Sequence, residues 1–202
     1  MIKISGIFIA VFALSIMTTG TMGQNSTKEK SIILGGGCFW CIEAVFNMTD
    51  GVVSATSGYA GGQADNPTYD EVCAGTTGHA EVVQVVYDEH KVSLRQLLDI
   101  FFTIHDPSQI NRQGADVGSQ YRSVIYYNQA EDRKVIDEAI AALKSSGTFD
   151  RVVTEIKQGQ QFYKAEVSHQ DYYQRNQFAA YCSYVIKPKV RKFRKVFPDL
   201  AK

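Results

Sequence analysis

Ile32-Ile33-Leu34-Gly35-Gly36-Gly37-Cys38-Phe39-Trp40-Cys41 is the stretch on which the reading of this chain turns. Three apolar residues stop at three glycines, the pattern of a short buried strand entering a flexible turn. From Cys38 the period changes, and Phe39, Ile42, Val45 and Phe46 recur at helical spacing. A helix N-terminus carries partial positive charge and unpaired N–H groups, which favour a thiolate over a thiol. Glycines ahead of it let a ligand come close to the backbone. Phe39 and Trp40, the chain's single tryptophan, would place an apolar wall beside the sulfur. A lone cysteine is more often a packing residue. Its place at a strand-to-helix turn, with Cys41 in a Cys-x-x-Cys, favours chemistry.

Working outward, Val52-Val53 begins a strand that runs into a Gly-rich loop at residues 58–62, and residues 63–80 read as mostly loop. A loop of that length in a compact domain is commonly functional. Val82 to Tyr87 is β-branched and reads as a buried strand; Ser93 then caps an amphipathic helix through Leu94, Leu97, Leu98, Phe101 and Phe102. His105-Asp106-Pro107 ends that helix, and a polar loop follows to Gln120. The pattern predicts a strand over 121–127, a helix over 130–146 stopped at Gly147, a strand over 152–156 and a helix over 168–176. The six basic residues between Lys187 and Lys195 alternate with Val190 and Phe193, so a solvated face with an apolar underside is expected there. Strands alternating with helices point to an α/β or α+β domain with helices packed on a sheet.

The chain has 202 residues, 45% apolar and 21% charged, with Lys+Arg and Asp+Glu both totalling 21. That is ordinary globular composition, and the balanced charge excludes a global field drawing the protein to nucleic acid. The first residues differ. Lys3 precedes an apolar run from Ile4 to Met17, and Thr18, Thr19, Gly20 and Thr21 follow. This is the layout of a secretory signal over 1–23, with an uncleaved membrane anchor as the alternative, then a polar linker over 24–30 and one domain over 31–202. Export to a periplasmic or extracellular space is the expected localisation.

Beyond the opening stretch, the chain carries Gly58-Tyr59-Ala60-Gly61-Gly62, Pro67-Thr68-Tyr69, and Val72-Cys73-Ala74-Gly75-Thr76-Thr77-Gly78-His79-Ala80-Glu81. Further on stand His105-Asp106-Pro107, Arg112-Gln113-Gly114-Ala115-Asp116-Val117-Gly118 and Gln120-Tyr121-Arg122-Ser123. Ala165-Glu166, His169-Gln170-Asp171-Tyr172 and Tyr181-Cys182 close the series. In this order and spacing, nearly everything after residue 31 resembles the peptide methionine sulfoxide reductases of the A type. The resemblance implies a two-layer sandwich built on a ferredoxin-like mixed sheet flanked by helices, with long irregular loops. It implies reduction of the S epimer of methionine sulfoxide, in proteins or as the free amino acid, with Cys38 as nucleophile. Phe39 and Trp40 would then cup the substrate methyl group, and Tyr69, Glu81, Asp116 and Tyr121 would hold and protonate the sulfoxide oxygen.

The chemistry asks for these residue types in its own right. A sulfoxide sulfur is a poor electrophile until its oxygen is protonated, and a carboxyl kept neutral by burial, such as Glu81, supplies that proton. Tyr69 and Tyr121 donate hydrogen bonds to a developing oxyanion. Attack leaves Cys38 as a sulfenic acid, which needs a second thiol to form a disulfide. Cys41 is close, but bridging at i, i+3 strains the disulfide. Cys182 sits where many relatives carry a resolving cysteine and is preferred, with Cys41 as the alternative or relay. Cys73 reads as a buried packing thiol. No metal is expected, because the one Cys-x-x-Cys has no partner pair. The reductant would be thioredoxin or a thioredoxin-like protein; no other cofactor is expected, and a monomer is. Two rivals remain open: a dithiol oxidoreductase exchanging disulfides through Cys38 and Cys41, and a peptide-binding module using Phe39 and Trp40.

Overall fold

A computed structural model of the chain describes Ile2 and residues 29–202, so the expected leader, Ile2 apart, and the linker through residue 28 lie outside the described residues. The opening apolar run is strand β1, Glu29–Gly35, so Glu29 and Lys30 belong to the sheet and not to a linker. It is joined by β2 (Val52–Ala60), β3 (Ala80–Asp88), β6 (Val124–Tyr127), β7 (Glu155–Gln158) and β8 (Phe162–Lys164). Together these form a six-stranded sheet in the order β7-β6-β1-β3-β2-β8, while β4 (Arg112–Gln113) and β5 (Asp116–Val117) make a separate small ladder. Neighbours are antiparallel except β6 and β7. That one parallel pair follows from helix α4 (Asp132–Ser145), which carries the chain back across the sheet between them.

Alternation along the strands sorts the side chains onto two faces. Leu34 sits opposite both Val83 and Ile125, and these with Ile32 and Val85 face the helices. Ile33, Val82, Val124 and Tyr126 form a smaller cluster on the other face, with Phe162 against it. Glu81 has the parity of Val83, so its carboxyl is delivered to the helix face. The helix that meets it, α1 (Phe39–Asn47), is buried on nearly every side, which is why its sequence is apolar all round. Helix α3 (Leu94–Ile104) starts as expected at Ser93, whose hydroxyl accepts the Gln96 N–H while the Gln96 side chain accepts the Ser93 N–H. The basic segment is helix α6 (Lys187–Val196), with Val190 and Phe193 buried beneath its charged face.

The structure departs from the sequence reading at several places, each with a local cause. Gly58 and Tyr59 lie inside β2 and not in a loop. A Cβ on Gly58 would stand 2.4 Å from the Phe162 ring and the Tyr163 carbonyl, so that glycine answers to the approach of β8, a strand too short to read from its own residues. Within the expected loop 63–80 lies helix α2 (Tyr69–Cys73), started by a Thr68–Glu71 capping box. Tyr121 belongs to a 3-10 turn, Ser119–Tyr121, ahead of β6. The strand expected over 152–156 lies instead at Glu155–Gln158, on a half-exposed sheet edge where apolar content is a poor guide. The helix expected over 168–176 is divided into a 3-10 turn, Val167–His169, and helix α5 (Tyr172–Arg175), separated at Asp171 with φ of 50°.

His105 ties the end of α3 to the sheet. Its Nδ1 lies 2.7 Å from the Phe101 carbonyl, which only accepts, so Nδ1 carries the proton. Nε2 then accepts from Ser123 Oγ at 2.9 Å, and Ser123 meets Thr154 at 2.9 Å. Burial holds the imidazole neutral and lowers its pKa to about 4. Between that value and the ordinary 6.5 the unfolded chain binds a proton that the folded chain does not. This contribution to stability is therefore present in full near neutrality and is lost as pH falls towards 4, on the order of 3 kcal/mol in all. Urea unfolding of the parent and of His105→Asn should show their stability gap shrinking by about that amount between pH 7 and 4; a constant gap would contradict it.

Candidate active site

The N-terminus of α1 is where the sequence-predicted residues meet. Gly37, at φ of 89°, turns the chain out of β1 in a conformation that a side chain resists, and a Cβ there would strike Gln113 at 2.6 Å. Cys38 follows as the residue preceding the helix and is 7% exposed. The free amides of the first turn are shared out. The Phe39 N–H donates to Glu81 Oε2 at 3.0 Å, the Trp40 N–H faces the Cys38 sulfur, and the Cys41 N–H donates to the Cys38 carbonyl at 3.0 Å. Glu81 is 1% exposed. Burial is the main cause of its pKa rising to about 8, opposed by the Phe39 N–H and reinforced by Asp116 and Cys41. At neutral pH it is mainly a carboxylic acid.

The helix start does not by itself ionise Cys38, contrary to the expectation from sequence. Burial pushes this thiol well up, and the S–H directed at Cys41 and the charge of Glu81 push the same way, outweighing the Trp40 amide. Cys41 accepts that S–H, and its own pKa is lowered, with Lys189 of α6 and the Tyr181 hydroxyl helping. The two sulfurs thus form one hydrogen-bonded pair whose ionisations are linked. Cys182 is buried in a π-helical turn, Cys182–Ile186, and feels the charge of Cys41. All four cysteines are free thiols.

Around the sulfur pair stands an aromatic wall. Phe39 lies 6.1 Å from Trp40 and 6.4 Å from Tyr69, ring centre to ring centre. Tyr172 stacks on Trp40 at 3.6 Å with 7° between the planes, and Tyr181 meets the indole edge-on at 5.9 Å. His169 packs against Tyr69 at 4.2 Å, Phe39 at 5.4 Å and Trp40 at 5.7 Å. Trp40 Nε1 and His169 Nδ1 are buried at this wall without a hydrogen-bond partner among the described residues. Asp116 accepts from the Tyr181 hydroxyl at 2.7 Å. The phenols of Tyr69 and Tyr121 are both held protonated, chiefly by burial and next by the Cys73 hydrogen bond for Tyr69 and the charge of Glu81 for Tyr121. The Tyr69 hydroxyl is directed at Cys73, which is only half-buried, so that thiol is more than core packing.

His169, Tyr172 and Tyr181 stood among the sequence motifs without an assigned role in the site, as did Glu166, which accepts the Tyr59 hydroxyl and the Tyr69 N–H, each at 2.8 Å. Glu43, further along α1, is a second buried acid; burial raises it to about 7, and it faces the Asp171 N–H. The signal for these residues was the aromatic density of 169–181, unusual for a surface helix. Among the described residues no group of three or more His, Cys, Asp or Glu is placed to hold a metal ion.

Comparison with known proteins bears on this geometry. Residues 30–201 match the family model described as peptide methionine sulfoxide reductase. The chain is 52% identical over 169 residues to the peptide methionine sulfoxide reductase MsrA of Saccharolobus solfataricus, covering 84% of this chain and 95% of that one. Among solved structures, Mxr1 from Saccharomyces cerevisiae in reduced form is 35% identical with a TM-score of 0.72, over 78% of this chain and 91% of that one. Mxr1 in complex with Trx2 is 27% identical with a TM-score of 0.51, over 76% and 91%.

The Trp40–Tyr172 stack is a feature that a mutation reads directly. Stacked aromatic pairs are worth about 1 kcal/mol. Tyr172→Leu should raise KM for a sulfoxide substrate by about fivefold with little change in kcat; an unchanged KM would remove Tyr172 from the wall.

Proposed function

This chain belongs to the peptide methionine sulfoxide reductase family and is a thiol-dependent methionine sulfoxide reductase; from that premise we propose how its residues divide the work. The observation that carries the proposal is a neutral, buried Glu81 bound to the amide next to Cys38. The substrate methyl group lies against Phe39 and Trp40, and the sulfoxide oxygen accepts hydrogen bonds from Glu81, Tyr69 and Tyr121. Asp116, tied to Tyr181, borders the same space. Glu81 gives its proton to the oxygen, while the Cys38 sulfur attacks and its own proton passes to Cys41. Oxygen leaves with Cys38 as the sulfenic acid, and methionine departs as the thioether. The proton taken up by Cys41 restores the neutral acid. Selection of the S epimer is inferred from the likeness to the A-type reductases.

The Cys41 thiolate then attacks the sulfenic sulfur, and the hydroxyl leaves as water with the Glu81 proton, giving the Cys38–Cys41 disulfide. This order is favoured because Cys41 already accepts the Cys38 S–H. A bridge at i, i+3 is strained and exchanges readily, so Cys182, near Cys41, takes over as its partner and frees Cys38. The preference for Cys182 in the sequence reading thus becomes a second step. The complex of Mxr1 with Trx2 supports a thioredoxin-like dithiol as the reductant here. The N-terminal apolar run supports export, so that the reductant would act outside the cytoplasm.

Two measurements test this. Glu81→Gln should lower kcat on the order of a hundredfold. In the parent enzyme activity should fall as pH rises through about 8, where Glu81 loses its proton, and the variant should lack that alkaline limb. A variant with parental activity would exclude Glu81 as the acid. Mass mapping after one turnover without reductant should find Cys38–Cys41 accumulating in Cys182→Ser and Cys41–Cys182 in the parent. A direct Cys38–Cys182 link in Cys41→Ser at parental rate would exclude the relay.

A further inference from the structure

Strand β8 ends the sheet, and its outer edge borders an open groove of about 480 Å³. One wall is Phe162 and Lys164; the other is Asn66, Pro67 and Thr68, and Glu166 closes one end. The hydrogen bonding of β8 decides which of its groups face the groove. Ala165 N–H donates to the Ser57 carbonyl at 3.0 Å, and the register pairs Tyr163 with Tyr59. Antiparallel alternation then turns the main-chain groups of Tyr163 towards β2 and those of Phe162 and Lys164 outward. The Phe162 carbonyl is taken by Gln161 Nε2 at 3.2 Å. The Phe162 N–H and the Lys164 N–H and carbonyl have no partner among the described residues.

The groove is preformed and is linked to the catalytic site through Glu166. The Tyr163 hydroxyl donates to Asp65 at 2.8 Å, clipping the 66–68 wall to β8. Glu166 holds the Tyr69 N–H and the Tyr59 hydroxyl, so the residue closing the groove also fixes the aromatic wall. We propose that this groove binds the main chain of a polypeptide substrate as a strand added to the outer edge of β8, while the oxidised methionine side chain reaches into the pocket at Cys38. The occupant is an extended, unfolded segment of a protein. An extended chain advances about 3.3 Å per residue, so β8, with three residues, engages a segment of about that length on one side of the methionine. Strand addition of this kind draws affinity from backbone hydrogen bonds and asks little of side chains. The edge is short and walled, so it admits one chain and not a second sheet. This inference rests on the assignment of Cys38 as the nucleophile.

The test compares N-acetyl methionine sulfoxide amide, which has no flanking chain, with an unstructured heptapeptide carrying the sulfoxide at its centre. In the parent enzyme kcat/KM for the peptide should exceed that for the amide by about tenfold, the worth of two or three backbone hydrogen bonds. Proline is tolerated on an edge strand when its nitrogen faces outward, so Lys164→Pro should remove the advantage and leave activity on the amide unchanged. With unaltered enzyme, peptides N-methylated at one flanking amide at a time should lose the advantage at alternate amides on one side only. An equal loss on both substrates in Lys164→Pro, or N-methylation that is harmless or uniformly harmful, overturns the proposal. Failure of the parent to reduce even the amide would instead strike at the assignment of Cys38.

Discussion

One hydrogen bond sets the terms for the rest: the Phe39 N–H to Glu81 Oε2, 3.0 Å long and buried. It joins the first turn of the central helix to the middle of the sheet, and so decides where Cys38 stands relative to an acid. It also resolves an antagonism. A carboxylate beside a cysteine discourages thiolate, and a thiolate discourages ionisation of the carboxyl; in a dry site the pair cannot both be charged. Burial pushes Glu81 to the neutral form, with its pKa near 8, and the amide keeps the carboxyl from drifting away while neutral. The two sulfurs share a proton, and the Cys38 hydrogen bond, Lys189 and Tyr181 lower the pKa of Cys41. Acid and nucleophile thus coexist because each proton has a defined neighbour.

The framework that holds this bond was legible in the sequence where local rules act alone. Ser93 reads as a helix cap and is one; the apolar run before Gly35 reads as a buried strand and is one. The parity that turns Glu81 onto the helix face was implicit in Val83 and Val85. What could not be read is what tertiary contact imposes. Gly58 has the same sequence signature in a loop as under a crossing strand, and only Phe162, more than a hundred residues later, distinguishes the two. Tyr172 reads as a helix residue and becomes a stacking platform because Asp171 adopts a left-handed turn that no local preference demands.

The site shows the same division. Cys38, Phe39, Trp40 and Glu81 were found because the nucleophile, its wall and its acid are chemically distinctive, and the structure brings them together. The ionisation of Cys38 was misjudged for a physical reason. The helix N-terminus offers partial charge, but its amides are finite, and here one is spent on Glu81 and another on the Cys38 sulfur itself. Burial of a thiol with only one amide facing it outweighs that gain. Sequence reports the dipole; it does not report who else is using it.

An enzyme that repairs methionine wherever oxidation strikes faces a recognition problem that the architecture answers by separating two tasks. The side chain is identified by chemistry that only a sulfoxide satisfies: an apolar wall for the methyl group and donors for the oxygen. The flanking sequence, being arbitrary, offers nothing constant except its main chain. An aromatic wall of Phe39, Trp40 and Tyr69, tied through Glu166 to a sheet edge with outward-facing amides, fits both facts, because backbone groups are the same at every site of damage. The same logic disfavours folded substrates, whose strands already have partners. Glu166 stands at the junction of the two tasks, one oxygen on Tyr59 and the other on the Tyr69 amide. Specificity for the oxidised group and indifference to its neighbours therefore arise from adjacent surfaces held in register by a single carboxylate.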